Sequence, residues 1–408
     1  MVKNFNSLKP RILFMVLVLY IASLIVFDLS SNVIYSNILN IVLWGFFLLF
    51  ILTEKNYRLP TNNLLLSYLA FTAFSFSSVF WAVNFDLAFS YSMRLLIVSI
   101  NLIILYSIFV QYKIQNAILY GILLGAFYNY MIAFGVINVH YETYEFGRFM
   151  GSVGNSNKLS KVMLISIFAG IVLLSYSNLK LYMRMYVSLS ILLSVFVIFL
   201  TVSKKAMVLA PLLLLATITF KNLKMKNIVI AVIAFIVVFE VLISYVDPDF
   251  LTTIYELTVK RIDGLVNLLE GGRGDDSSME RKALIIEGLT AFSNNPIFGN
   301  GLNNFRLFFG KYAHNNYIEL LVGVGLIGTM LFYALYVATI KSIRKMPASM
   351  LKRYFYAMVF VLLVMDLATV SYYNKLVLFT LLYIYYVARS NMKNSYVKTE
   401  IIEVNDAK

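Results

Sequence analysis

One histidine marks the place in this sequence where side-chain chemistry is easiest to locate. His314, one of only two histidines, lies where a long polar segment meets a strongly apolar run that contains Gly323, Gly325 and Gly328. In a membrane protein, this junction would place a titratable imidazole at the water boundary, beside an apolar pocket. We therefore predict a reaction centre here, although a lone histidine at such a junction is more often an interfacial residue.

The composition shows what kind of elements must position this residue. The chain has 408 residues, of which 61% are hydrophobic and 13% charged, with a mean hydropathy of +0.81. A soluble domain has about 25% charged residues, so most of this chain must be in contact with lipid. Cysteine is absent and there are only two histidines, which argues against disulfides and against a zinc site.

The apolar runs predict an all-α polytopic membrane protein with about twelve transmembrane helices, since each run has roughly the length that crosses a bilayer. The predicted spans are 12–27, 33–52, 64–83, 87–110, 117–139, 162–175, 185–202, 206–220, 228–245, 317–340, 354–370 and 376–387.

The basic residues predict the orientation of these spans. The formal charge is +14, and the short loops on the N-terminal side of the membrane carry most of the short-loop lysines and arginines, which places both termini in the cytoplasm. The predicted domains are spans one to nine in 1–245, one large, partly helical extracytoplasmic loop in 246–316, spans ten to twelve in 317–387, and a cytoplasmic tail in 388–408. The basic excess is then topological, and nucleic-acid binding is not required.

Several cations fall near the predicted outer ends of the spans. They are Arg281, Arg148, Lys204 and Lys205, whereas Arg94 falls inside the fourth span. Guanidinium groups bind phosphate oxygens well at such a boundary. Each also has a plainer interpretation: a solvated charge or lipid-headgroup contact for Arg281, a charged turn for the two lysines, and a snorkelling side chain for Arg94.

The large loop carries a series of motifs that lead to His314. Residues 280–292 repeat apolar side chains at helical spacing, and Asn295-Pro296 ends that pattern. Residues 302–309 then form a short amphipathic piece before the histidine.

These motifs resemble the superfamily of O-antigen ligases and O-antigen (Wzy-type) polymerases, which are polytopic membrane glycosyltransferases. The motifs are Arg281, then Asn295-Pro296-Ile297-Phe298-Gly299-x-Gly301, Phe305, His314-Asn315 and Gly325 to Gly328, together with the earlier segment Arg148 to Asn157. The resemblance covers the whole topology, and it implies a GT-C-like fold.

The sequence departs from the superfamily pattern at two places. Ser156 stands where proline is usual, and Thr201 to Lys205 stands where Ser-Arg-Gly is usual. The second change keeps a cation but loses the bidentate phosphate geometry of arginine.

The resemblance implies attack of an acceptor hydroxyl on a sugar linked to undecaprenyl diphosphate, with departure of the diphosphate. His314 would be a base with a pKa near neutrality, and neither a metal nor a cofactor is expected. The implied roles are catalysis by His314 and Arg281, diphosphate binding by Arg148, Lys204 and Lys205, and substrate binding by Asn315, Asn157 and Arg94.

The favoured function is a polymerase of lipid-linked oligosaccharide repeat units in the bacterial inner membrane. Its expected partners are the undecaprenyl-diphosphate-linked oligosaccharide, membrane lipid, and a chain-length regulator and a flippase. A ligase that passes the finished glycan to lipid A-core or another acceptor is the alternative. A flippase or transporter is the alternative from another class, although transporters more often show two related halves.

Overall fold

A computed structural model describes residues 8–27, 33–52, 60–176, 179–216 and 276–406, together with Thr252, Tyr255, Glu256 and Val259. Its helices are α1 (Leu8–Val26), α2 (Val33–Leu52), α3 (Asn63–Ser77), α4 (Phe85–Tyr112), α5 (Ala117–Ala133), α6 (Ser156–Tyr176), α7 (Leu181–Leu200), α8 (Lys204–Leu215), α9 (Asp276–Asn294), α10 (Phe305–Phe309), α11 (Asn316–Arg344), α12 (Met350–Met365) and α13 (Lys375–Asp406). A short antiparallel hairpin pairs β1 (Tyr144–Glu145) with β2 (Arg148–Phe149).

The fold is that of an all-α membrane protein. It is 78% helical, and six helices in the described part of the chain are long and apolar enough to cross a bilayer. They are α1, α3 with the 3₁₀ turn that follows it, α4, α6, α7 and α11. Helices occupy eleven of the twelve predicted spans, while the ninth, 228–245, lies outside the described residues. The total of twelve spans and the outward face of 246–316 stay predictions.

The chain divides into two compact units. One comprises Met1–Pro10, Trp44–Gln115 and Arg281–Lys408, and we call it the histidine unit because it contains His314. The other comprises Arg11–Leu43 and Asn116–Glu280, and we call it the hairpin unit because it contains β1 and β2.

Helix α6 is the central helix of the hairpin unit, where it packs against α5, α7 and α8. Tyr130 of α5 anchors this packing, since its hydroxyl lies 2.6 Å from Ser194 Oγ and 3.2 Å from Ser166 Oγ. Helix α1 lies directly on α5 at Gly121 and Gly125, where an added Cβ would lie under 3 Å from α1 atoms. Such small residues let two helix backbones approach closely in a membrane.

Helix α11 organises the histidine unit and packs against α3, α12 and α13. Its N-terminus is tied to the segment between α12 and α13. The Asn316 N–H donates to the Asp366 carbonyl at 2.7 Å, and Asn316 Oδ1 accepts the N–H groups of Ser371 and Tyr372. The buried Asp366 carboxylate accepts hydrogen bonds from Ser371 Oγ, Tyr333 Oη and Asn316 Nδ2.

A break in α11 receives the glycine-rich segment that precedes His314. Gly325 has φ 62° and ψ −165°, which interrupts the helix, and this conformation is essentially restricted to glycine. Asn300 donates from both its backbone N–H and its Nδ2 to the Val322 carbonyl, and the Leu326 N–H donates to the Pro296 carbonyl. The carbonyl and N–H groups that the break frees are thus satisfied by residues 296–300.

Candidate active site

His314 lies immediately before α11, as the sequence predicts. Asn315 is the N-cap of this helix, and its Oδ1 accepts the N–H groups of Tyr317 at 2.9 Å and Ile318 at 3.3 Å. His314 itself has φ 51°, a left-handed conformation that is uncommon for a residue with a side chain. Asn315 therefore has a structural role, and its contact with substrate stays a prediction.

The imidazole of His314 lies in a half-buried, cationic environment. Burial, Arg281 and Lys311 together lower its pKa from 6.5 to about 4, and burial makes the largest contribution. The expectation of a pKa near neutrality is therefore wrong. The sequence showed the polar junction, but it did not show that burial and two cations would converge on the ring. At neutral pH the imidazole is uncharged, so it can accept one hydrogen bond and donate another.

A small apolar core holds Arg281 beside this histidine. Leu284 of α9 is buried against Phe305, Ala313, Ile318 and Val322. Gly288, one turn further along α9, allows the close approach, because an added Cβ there would lie 2.4 Å from Ile318 Cγ2. The predicted helix at 280–292 is confirmed, and its docking on α11 explains why Arg281 acts on His314 across more than thirty residues of sequence.

Arg306 is a site residue that sequence reasoning missed. Its guanidinium carbon lies 5.5 Å from the centre of the Tyr312 ring, and the Tyr312 ring in turn lies 4.0 Å from the His314 ring. The signal in the sequence was a cation within an aromatic run, Phe-Arg-Leu-Phe-Phe at 305–309.

Arg94, a predicted substrate-binding residue, approaches the same group of side chains. Its guanidinium carbon lies 4.4 Å from the centre of the Tyr91 ring, and that of Arg306 lies 5.9 Å from the same ring centre. Two guanidinium groups therefore share one tyrosine, in addition to the two cations that act on His314. Among the described residues of the histidine unit, Arg94, Arg281, Arg306 and Lys311 thus lie near Tyr91, Tyr312 or His314.

The remaining predicted cations lie in the hairpin unit. Arg148 Nε donates to the Thr201 carbonyl at 3.0 Å, and its Nη2 donates to Asn157 Oδ1 at 3.4 Å. Ser203 Oγ also donates to Asn157 Oδ1, at 3.2 Å. These bonds join the segment at 148–157 to the turn before α8, so Arg148 and Asn157 each have a structural partner.

Lys204 and Lys205 begin α8, directly after this turn, and both are half-buried. Val202 in the turn has φ 48°, so the backbone is held in an uncommon conformation just before the two lysines. The two motifs at 148–157 and 201–205 are therefore brought together within one unit. Their binding to diphosphate stays a prediction.

Comparison with known proteins adds one match. Residues 189–333 match the family model described as O-antigen ligase, and this confirms the resemblance to the O-antigen ligase and polymerase superfamily. The matched segment contains Lys204, Lys205, Arg281, His314 and Asn315. A search of curated proteins found no match.

Proposed function

We propose that this multi-pass membrane protein, whose residues 189–333 match the O-antigen ligase family model, polymerises lipid-linked oligosaccharide repeat units. The growing glycan would pass from undecaprenyl diphosphate to a hydroxyl group of the next lipid-linked unit. The observation that carries the proposal is the uncharged imidazole of His314, which contacts the Tyr312 ring and lies near Arg281 and Lys311 inside the matched segment.

The proposed reaction uses this arrangement as follows. The acceptor oxygen forms a bond to the anomeric carbon, the bond from that carbon to the diphosphate oxygen breaks, and its electron pair leaves with the diphosphate. Arg281 stabilises the growing negative charge on the leaving group, because a fixed cation acts strongly where water is excluded. His314 orients the acceptor hydroxyl and accepts its proton as the new bond forms. The low pKa lets the ring release that proton again easily, because the imidazolium would lie beside two cations.

Alanine substitutions of the two catalytic candidates test the proposal. We expect His314→Ala and Arg281→Ala to leave the amount of membrane-inserted protein unchanged and to abolish long glycan chains, as measured by gel electrophoresis of surface polysaccharide from a deletion strain carrying each variant. His140→Ala and Lys282→Ala are the matched controls, because both side chains are exposed. The controls should support normal chain lengths. Long chains in both test variants would refute the assignment of these residues.

The family match is equally consistent with a ligase and with a polymerase. A separate measurement must therefore distinguish the two activities. A strain that lacks the polymerase should accumulate surface glycan of a single repeat unit. If the chain were instead a ligase, the strain would accumulate full-length polymer on the lipid carrier, without transfer to the final acceptor. If it were a flippase, single units would stay on the cytoplasmic side.

A further inference from the structure

Six buried polar atoms of the histidine unit have no hydrogen-bond partner among the described residues, and three of these six belong to side chains that interact with one another. The three are Glu319 Oε1, Arg306 Nε and Tyr372 Oη. Glu319 is 2% exposed and Tyr372 is 0% exposed. Buried polar groups almost always have a partner, so each exception calls for a ligand, an ion or a water molecule.

The protein holds two of these side chains firmly in place. The other oxygen of the Glu319 carboxylate, Oε2, accepts the N–H of Ala313 at 2.8 Å, directly before His314. The backbone of Tyr372 is fixed on both sides, since its N–H donates to Asn316 Oδ1 and its carbonyl accepts the hydroxyl of Tyr68 at 2.9 Å. The lack of a partner at Glu319 Oε1 and Tyr372 Oη is therefore not a consequence of loose packing.

The three groups act on one another electrostatically. Glu319 interacts with Arg306. Burial raises the pKa of Tyr372 well above its ordinary value, the nearby Glu319 raises it further, and Arg306 lowers it. Tyr372 thus keeps its proton. Together the groups offer an acceptor, a charged donor and a hydroxyl that can do both.

We infer that Glu319, Arg306 and Tyr372 form an inner subsite that binds hydroxyl groups of the glycan substrate next to His314. The inference rests on the proposed glycan-transfer function and deepens it. Sugar hydroxyls can both donate to Glu319 Oε1 and accept from Arg306 Nε and Tyr372 Oη, whereas diphosphate oxygens can only accept, so the subsite suits the sugar rather than the diphosphate. Tyr372 and Tyr373, whose ring centres lie 4.9 Å apart, add apolar ring surface beside these polar groups.

Tyr372→Phe is the sharpest test, because it removes only a hydroxyl that has no partner in the folded protein. Loss of such a group should not lower the thermal stability in detergent. With lipid-linked repeat unit extracted from a deletion strain, we expect Tyr372→Phe to raise KM about tenfold, the effect of one lost hydrogen bond in a dry site.

Two inhibitors show which part of the substrate the subsite binds. The free repeat-unit oligosaccharide, released from its lipid, should inhibit the variant about tenfold less well than the wild type. Undecaprenyl diphosphate without sugar should inhibit both equally. Glu319→Gln, which retains an oxygen for the Ala313 N–H, should show the same pattern as Tyr372→Phe.

Tyr386→Phe is the matched control, since the Tyr386 hydroxyl donates to the Phe109 carbonyl at 2.7 Å. This variant should lose thermal stability and keep normal inhibition by both compounds. Unchanged KM and inhibition in Tyr372→Phe would mean that water alone satisfies the three atoms and would overturn the inference. Weaker inhibition by undecaprenyl diphosphate would also overturn it. A wild-type enzyme that makes no chains from the extracted lipid would instead contradict the proposed function.

Discussion

At the scale of single residues, His314 combines a left-handed backbone with a ring that stays uncharged at neutral pH. Glu319 Oε2 holds the N–H of the preceding residue, and Asn315 caps the helix that follows. The ring is therefore positioned by neighbours on both sides in sequence. Its charge state is set by burial and by Arg281 and Lys311. A base of this kind works at low pH, where an ordinary histidine would already be protonated.

The pH dependence of chain synthesis should reveal this environment. Because the pKa of His314 is lowered from 6.5 to about 4, the neutral ring persists as the pH falls, and activity should decline only near pH 4. Lys311→Met removes one of the two cations, so protonation becomes easier and the acid limb should move to higher pH. The measurement is the initial rate of glycan synthesis by purified enzyme across the pH range. A wild-type limb near pH 6.5, or no shift in the variant, would contradict this account.

At the scale of elements, the break in α11 packs directly against the segment at 296–300. An added Cβ at Gly325 would lie 2.3 Å from the Ile297 carbonyl oxygen, and one at Gly299 would lie 2.5 Å from the Gly323 carbonyl oxygen. The two backbones are therefore in direct contact. This contact fixes the chain between the end of α9 at Asn294 and the start of α10 at Phe305.

Gly325→Ala should disrupt the packing of α11 against the segment at 296–300. The new side chain would be strained by its positive φ, at a cost of roughly 1–3 kcal/mol, and would overlap the Ile297 carbonyl. We expect a lower melting temperature in detergent and loss of long glycan chains. Gly45→Ala is the control, because an added Cβ there meets nothing within 4 Å, and it should change neither property. Equal melting temperatures for the two variants would show that the contact does not stabilise the protein.

At the scale of the whole molecule, the proposal depends on which side of the membrane the large loop occupies. The positive-inside pattern predicts that 246–316 lies outside, together with α9, α10 and His314, and that the basic loop between α11 and α12 lies in the cytoplasm. The transfer reaction needs His314 on the side where lipid-linked units are joined. Topology is therefore a condition for the proposed function.

The chain contains no native cysteine, so single cysteines can map this topology directly. Ser293 in α9 and Ala348 in the basic loop are both exposed. A membrane-impermeant maleimide added to cells with a permeabilised outer envelope should label Ser293→Cys and leave Ala348→Cys unlabelled until the inner membrane is opened. The opposite pattern would place His314 in the cytoplasm and would contradict the proposed reaction.

The hydropathy pattern of the sequence was sufficient to predict the positions of most helices in this protein. An apolar run of about twenty residues must form a helix in lipid, because no water is present to satisfy its backbone. Eleven predicted spans therefore coincide with helices. The start of α11 could also be predicted from the sequence, since the polar segment ends at Asn316 and the apolar run begins at Tyr317.

Only the tertiary structure decided the chemistry of the site, because pKa values and ligand contacts depend on residues that are distant in sequence. The low pKa of His314 requires the docking of α9 that brings Arg281 close. The subsite requires Tyr372, which follows α12 in the sequence. A hydrogen bond from its N–H to Asn316 Oδ1 brings it to the start of α11. The proposed role of Arg306 follows from its contacts with the rings of Tyr91 and Tyr312. No local sequence pattern predicts the contact between Arg306 and Tyr91, because these residues are more than 200 positions apart.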